Sequence, residues 1–221
     1  MTTPTAPAPD TPRALAPEEL ALLPQAKFEG EILVCETPQD AERALSRLMS
    51  ERVLGFDTET RPTFKRGISY SPSLVQLAGE DLVVLVRAGA FGAWEALAEV
   101  LGNEGVVKAG VAVRDDLTAL GKIGPVSPRG FEDVGEWAKG FGWPVTGLRN
   151  LAAALLGVRV SKKARLTNWE AQCLSAAQVC YASTDAWVSR QIYMAMRALN
   201  LPRKARAPRK KKDSPSRAFT G

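Results

Sequence analysis

Asp57 and Glu59 in Val53-Leu-Gly-Phe-Asp-Thr-Glu-Thr60, Asp116 shortly after Lys108-Ala-Gly-Val-Ala-Val113, and Asp185 in Tyr181-Ala-Ser-Thr-Asp185 are four carboxylates in an order that makes chemical sense together. Divalent magnesium takes oxygen ligands in near-octahedral geometry, and two such ions clamp the attacking and leaving oxygens of a phosphodiester. Four convergent carboxylates therefore point to a site for two divalent cations, Mg2+ or Mn2+, and to metal-assisted phosphoryl transfer.

The chain contains no histidine. His-ligated zinc, Ser-His-Asp and Cys-His triads and a histidine general base are thereby excluded, which leaves proton work to carboxylate, tyrosine, lysine or water. Cys35, Cys173 and Cys180 are too few and too scattered for a four-cysteine zinc cage. An odd count argues against a disulfide framework and for a reducing compartment, with each thiol expected as a small buried hydrophobe. The chain has no apolar run long enough to span a bilayer and no basic-then-apolar start, so a cytoplasmic protein without membrane attachment is expected.

Two hundred and twenty-one residues of ordinary apolar content suit one core. Residues 1–24 are rich in Pro, Ala and Thr and are expected to be disordered; residues 25–202 form the folded domain; residues 203–221 read as a disordered basic tail. That tail has eight basic residues against one Asp, a net of +7 within the whole-chain +5, which leaves residues 1–202 at −2. It is either a phosphate-seeking arm or a solubilising terminus.

The elements that must position the carboxylates follow from periodicity. Thr37-Pro38 is an N-cap with Pro at the first helical position, followed by Ala41, Ala44, Leu45, Leu48 and Met49 at helical spacing. Residues 53–56, 74–77 and 82–86 read as strands of an antiparallel meander, and residues 106–111 and 131–134 as two further strands. Helices are expected over 91–101, from 115 to 120, over 136–141, 148–156 and 175–199, the last opened by Ser175 and Gln178 at capping-box spacing. The alternation is that of an α/β sheet domain.

Each motif also has a plain structural reading. Asp57 and Glu59 share one face of a strand, an expensive arrangement without a counter-charge, although a solvated strand end would also hold them. Tyr181 and Asp185 stand one helical turn apart, close enough for a surface hydrogen bond or for a shared phosphate. Asp115 and Asp116 are equivalent as first-turn acids, and Asp115 would serve equally as N-cap. Lys162, Lys163 and Arg165, followed by Trp169, would line a nucleic-acid groove with an aromatic platform, or form a solvated loop beside a buried Trp.

In combination, Phe56-Asp-Thr-Glu-Thr60, Lys108-Ala-Gly-Val-Ala-Val-Arg-Asp-Asp-Leu-Thr-Ala-Leu120 and Tyr181-Ala-Ser-Thr-Asp-Ala-Trp187 resemble the three motifs of the DnaQ-like DEDD 3′-5′ exonucleases, across residues 32–199. Tyr181, four residues before the last Asp, resembles the tyrosine subgroup. Lys108-Ala-Gly-Val111 and Leu166-Thr-Asn-Trp169 look more like the exonuclease domain of Werner-syndrome helicase than like ribonuclease D. The resemblance implies a ribonuclease H-like fold, a mixed five-stranded sheet flanked by helices. It implies that Asp57 bridges two cations, that Glu59 and Asp185 complete the deeper one, and that Asp116 holds the second through water. Asp116 is selected over Asp115 because it stands four residues before Leu120, as the family aspartate does before its leucine. Tyr181 would orient the attacking water.

The implied activity is metal-dependent 3′-5′ exonuclease action on nucleic-acid 3′ ends, DNA slightly favoured, with nucleic acid as the partner. The alternatives are a ribonuclease D-like RNA-trimming enzyme and a non-catalytic nucleic-acid-binding module on the same fold.

Overall fold

A computed structural model describes residues 12–63, 70–87, 92 and 94–199. The basic tail at 203–221, the first eleven residues and Phe91, where a helix was expected to begin, lie outside the described residues.

Among the described residues, six strands form one sheet: β1 (Glu31–Cys35), β2 (Val53–Thr60), β3 (Pro72–Ala78), β4 (Leu82–Arg87), β5 (Val107–Gly110) and β6 (Phe131–Asp133), in the order β1-β4-β3-β2-β5-β6. The expected meander is present, with β3 antiparallel to both β2 and β4. β5 lies parallel to β2, β6 parallel to β5, and β1 parallel to β4. The expected count of five is thus corrected to six. β1 is an edge strand whose partner lies some fifty residues away, and its burial is partial, so local sequence carries no alternation that announces it.

The pleat divides the core in two. Leu54, Phe56, Val75, Leu77, Val84 and Val86 face α2 (Pro38–Leu48), α3 (Trp94–Gly102) and α4 (Val113–Leu120). On the other face, Leu74, Ala78, Val83 and Leu85 pack against Ala182 and Ala186 of the long helix α7 (Ala176–Ala198), which α5 (Val134–Gly140) and α6 (Leu148–Leu156) support from the side. Caps set the helix starts: the Thr37 hydroxyl accepts from the Asp40 amide, and Ser175 and Gln178 form the reciprocal box that opens α7.

The lead-in expected to be disordered through residue 24 carries a short helix, α1 (Pro17–Leu22), with Pro at its start and a Glu19 side chain accepting from the Ala16 amide. Beyond it the chain is tied down. The Ala26 amide donates to the Arg159 carbonyl at 2.9 Å, and the Phe28 amide donates to the Thr184 hydroxyl of α7 at 3.2 Å. Of the three free thiols only Cys35 is buried; Cys180 is half-buried and Cys173 exposed, which corrects the expectation of three buried ones. Among the described residues no helix is long and apolar enough to cross a membrane.

Candidate active site

Strand period places Asp57 and Glu59 on the face that looks toward α7, with Phe56 on the other. Helix α7 reaches that face at unusually short range because residue 55 is glycine. A Cβ there would stand 1.8 Å from the Ala186 carbonyl oxygen, so only a residue without one lets the helix backbone settle on β2. Asp185, adjacent to Ala186, is thereby delivered to the strand acids. One carboxylate oxygen from each of Asp57, Glu59 and Asp185 lies within 4.8 Å of the others. Tyr181, one turn earlier on α7, directs its hydroxyl to the Asp185 carboxylate.

Asp116 is not within that trio. It rises from the first turn of α4 on the opposite side of β2, where its Oδ1 accepts a 2.5 Å hydrogen bond from the Thr58 hydroxyl. Its charge is still near enough to act on Asp57 and Glu59. Asp115, its neighbour, is exposed, and the N-cap of α4 is Ala112 rather than either acid. Ala112 takes up φ 58°, a left-handed conformation that disfavours a residue with a Cβ, and this sharp entry swings α4 so that Asp116 faces the end of β2.

The electrostatics are those of buried, crowded acids. Burial first, then the charges of Asp185, Glu59 and Asp116, push the Asp57 carboxyl well above the usual range. Burial and the charges of Asp185 and Asp116 raise Glu59 to about 8, against relief from Arg165. Burial raises Asp185 to about 7, opposed by its hydrogen bond from Tyr181 and by Arg149. Asp116 is raised by burial while the Thr58 hydroxyl opposes the shift. The Tyr181 phenol is pushed up by burial and by the acids around it, which keeps it a proton donor. The buried Asp185 Oδ1 has no hydrogen-bond partner among the described residues. Hard oxygen donors, an orphaned acceptor and mutual repulsion fit a divalent cation held by Asp57, Glu59 and Asp185.

Lys162, Lys163 and Arg165 lie on the connection between α6 and α7, and all three are exposed. Arg165 is near enough to lower Glu59. Lys163 lines a crevice of about 180 Å3 that also reaches Tyr181 and Asp185. Trp169 does not serve as a stacking platform: it is 1 % exposed, with its ring 6.0 Å from that of Tyr181, which it backs. Lys108, from the second motif, is buried in β5 and donates to the Asn103 and Val106 carbonyls, its ammonium lowered to about 8 by desolvation. It is a structural group. Thr58, Gln76 and Gly55 border the acids and were not among the expected site residues. Only Gly55 left a sequence signal, a glycine interrupting an apolar strand two positions before an acid.

The model of a family described as 3′-5′ exonuclease matches residues 32–199. Ribonuclease D of Gluconacetobacter diazotrophicus is 36 % identical over 179 residues, covering 79 % of this chain and 44 % of that protein. The bifunctional 3′-5′ exonuclease/ATP-dependent helicase WRN of Mus musculus is 28 % identical over 184 residues, covering 77 % of this chain and 13 % of that protein. The expectation that the Werner-type likeness exceeds the ribonuclease D likeness is therefore reversed. The EXO domain of Aedes aegypti Nibbler superposes with a TM-score of 0.69 at 25 % identity, covering 77 % of this chain and 89 % of that domain, which agrees with the ribonuclease H-like fold. The chain spans less than half the length of the ribonuclease D it matches. Because the match runs unbroken from β1 to the end of α7, through every element that carries the acids, the chain belongs to the DnaQ-like 3′-5′ exonuclease family.

Proposed function

We propose that this chain is a divalent-cation-dependent 3′-5′ exonuclease that trims RNA, releasing nucleoside monophosphates from 3′ ends. The observation that carries the reading is the convergence of Asp57, Glu59 and Asp185 within 4.8 Å, with Tyr181 against the last of them. A bound divalent cation supplies Lewis-acid stabilisation of the charge that develops on the phosphoryl oxygens. In this reading Asp57, Glu59 and Asp185 hold one cation, and Asp116, steadied by Thr58, together with Asp57 holds a second, Mg2+ or Mn2+. The Tyr181 hydroxyl, kept protonated, positions the attacking water. Lys162, Lys163 and Arg165 hold backbone phosphates at the mouth of the site.

The DNA preference expected from the sequence gives way to RNA, because ribonuclease D is the relative at 36 % identity and WRN stands at 28 %. Digestion of matched 5′-labelled RNA and DNA strands with Mg2+, with Mn2+ and with chelator tests the reading. It predicts metal-dependent shortening from the 3′ end, faster on RNA. Faster digestion of DNA would overturn the substrate assignment, and binding without any metal-dependent shortening would reduce the chain to a nucleic-acid-binding module.

A further inference from the structure

Gln76 sits in the middle of β3, paired across the sheet with Asp57. Its side chain is on Asp57's face: Val75 and Leu77 on either side of it belong to the opposite core, whereas Leu74 and Ala78 pack with Ala182 and Ala186 of α7. The side chain is fully buried, and neither its Nε2 nor its Oε1 has a hydrogen-bond partner among the described residues. Its other cross-strand neighbour, Leu85 of β4, offers nothing polar. A primary amide carries two donors and two acceptor lone pairs, so a fully orphaned one in a central strand is costly to keep without a function. Directly opposite residues of an antiparallel pair hold their Cβ atoms about 4.5–5.5 Å apart, within reach of a glutamine amide. Asp57 Oδ1 is already engaged by the Thr58 amide at 2.9 Å, which leaves Oδ2 to be positioned by something else.

We propose that Gln76 is a positioning residue for Asp57: its Nε2 donates to the Asp57 carboxylate when that group holds a divalent cation, fixing the carboxylate's orientation. The proposal rests on the reading of Asp57, Glu59 and Asp185 as cation ligands. Ligating carboxylates are themselves hydrogen-bonded, and loss of such a partner weakens metal binding about 10–100-fold. Both polar atoms of the amide stand without a partner among the described residues, so its Nε2 is available to donate to that carboxylate.

Gln76→Met keeps the length of the side chain and removes its hydrogen-bonding capacity. In the full chain without metal, the variant is expected to melt at or above the wild-type temperature, because a buried orphan has been replaced by an apolar group. Mn2+ affinity by titration calorimetry is expected to fall about 10–100-fold, and kcat on a 5′-labelled RNA to fall with KM unchanged. An Mn2+ affinity equal to wild type would overturn the proposal, marking Gln76 as a core amide served by solvent. A large loss of metal-free stability would overturn it as well, by making the amide structural. A readout on the unmutated protein covers a variant that does not fold: the assigned Gln76 side-chain amide resonances should shift on addition of Mg2+, and resonances that stay fixed while Mg2+ binds would sink the idea. Absence of Mn2+ binding by the wild type would remove the cation reading itself, and this inference with it.

Discussion

Gly55 of β2 and Ala186 of α7 meet so closely that a Cβ on residue 55 would lie 1.8 Å from the Ala186 carbonyl oxygen. This contact sets the distance between the strand that carries Asp57 and Glu59 and the helix that carries Asp185, and so it decides whether three carboxylates become one site. Gly55→Ala should destabilise the fold by about 3 kcal/mol or more, at or above the upper end of overpacking costs, because the obstruction is backbone and cannot swing away. Any folded fraction should bind Mn2+ poorly. Chemical denaturation and calorimetry read both quantities, and a variant of wild-type stability would show that α7 can slide without consequence.

Asp57→Asn should reduce RNA turnover by more than about a hundredfold, since altering even a hydrogen-bond partner of a ligand costs about 10–100-fold. The fold should survive and at pH 8 should gain stability without metal, because one of the repelling acids is gone. Turnover near that of wild type in the purified, folded variant would be incompatible with Asp57 as a shared ligand.

Asp116 and Asp115 differ in burial and in the Thr58 hydrogen bond. Asp116→Ala should abolish activity and lose about 1 kcal/mol of stability with the bond, whereas Asp115→Ala should stay within about 0.5 kcal/mol and retain turnover. Parallel assays at saturating Mn2+ distinguish them; the reverse pattern would assign the site role to the exposed acid.

Tyr181→Phe keeps the ring against Trp169 and deletes only the hydroxyl. Hydrogen bonds involving a charged partner are worth about 1.5–3 kcal/mol, so single-turnover cleavage should slow roughly 10- to 150-fold with substrate affinity little changed. An unchanged chemical step would leave Tyr181 as a packing residue.

The metal-free protein should lose stability as pH rises. Glu59 and Asp185 bind protons more tightly folded, with pKa values of about 8 and about 7, than unfolded, where carboxyls titrate near 4. The folded state therefore holds more protons between these limits. The stabilisation is fully present below pH of about 4 and is lost as pH climbs through about 7 and 8, by an amount on the order of a few kcal/mol. Added Mn2+ should raise the melting temperature more at pH 8.5 than at pH 5.5, since the ligands must be deprotonated. Melting curves in chelator and in Mn2+ across that range make the comparison, and a flat metal-free profile would contradict the crowding of the acids.

Much of this was legible in the chain because it is local. The caps at Thr37 and Ser175, the alternation that sets Asp57 and Glu59 on one face, the one-turn spacing of Tyr181 and Asp185, and the meander of β2, β3 and β4 all follow from neighbours a few residues apart. The absence of histidine removed whole classes of chemistry by composition alone. What needed the tertiary structure is non-local. β1 pairs with β4 across the intervening α2, β2 and β3, the lead-in helix is followed by a segment held against α7, and Trp169 turns inward to back Tyr181 rather than outward to meet a base. Asp116 meets Thr58 only because Ala112 turns the chain through a left-handed conformation, and Gln76 stands opposite Asp57 only through the register of β2 and β3. Such placements depend on which face of one element presses on which face of another, and a sequence pattern fixes the faces without fixing their partners.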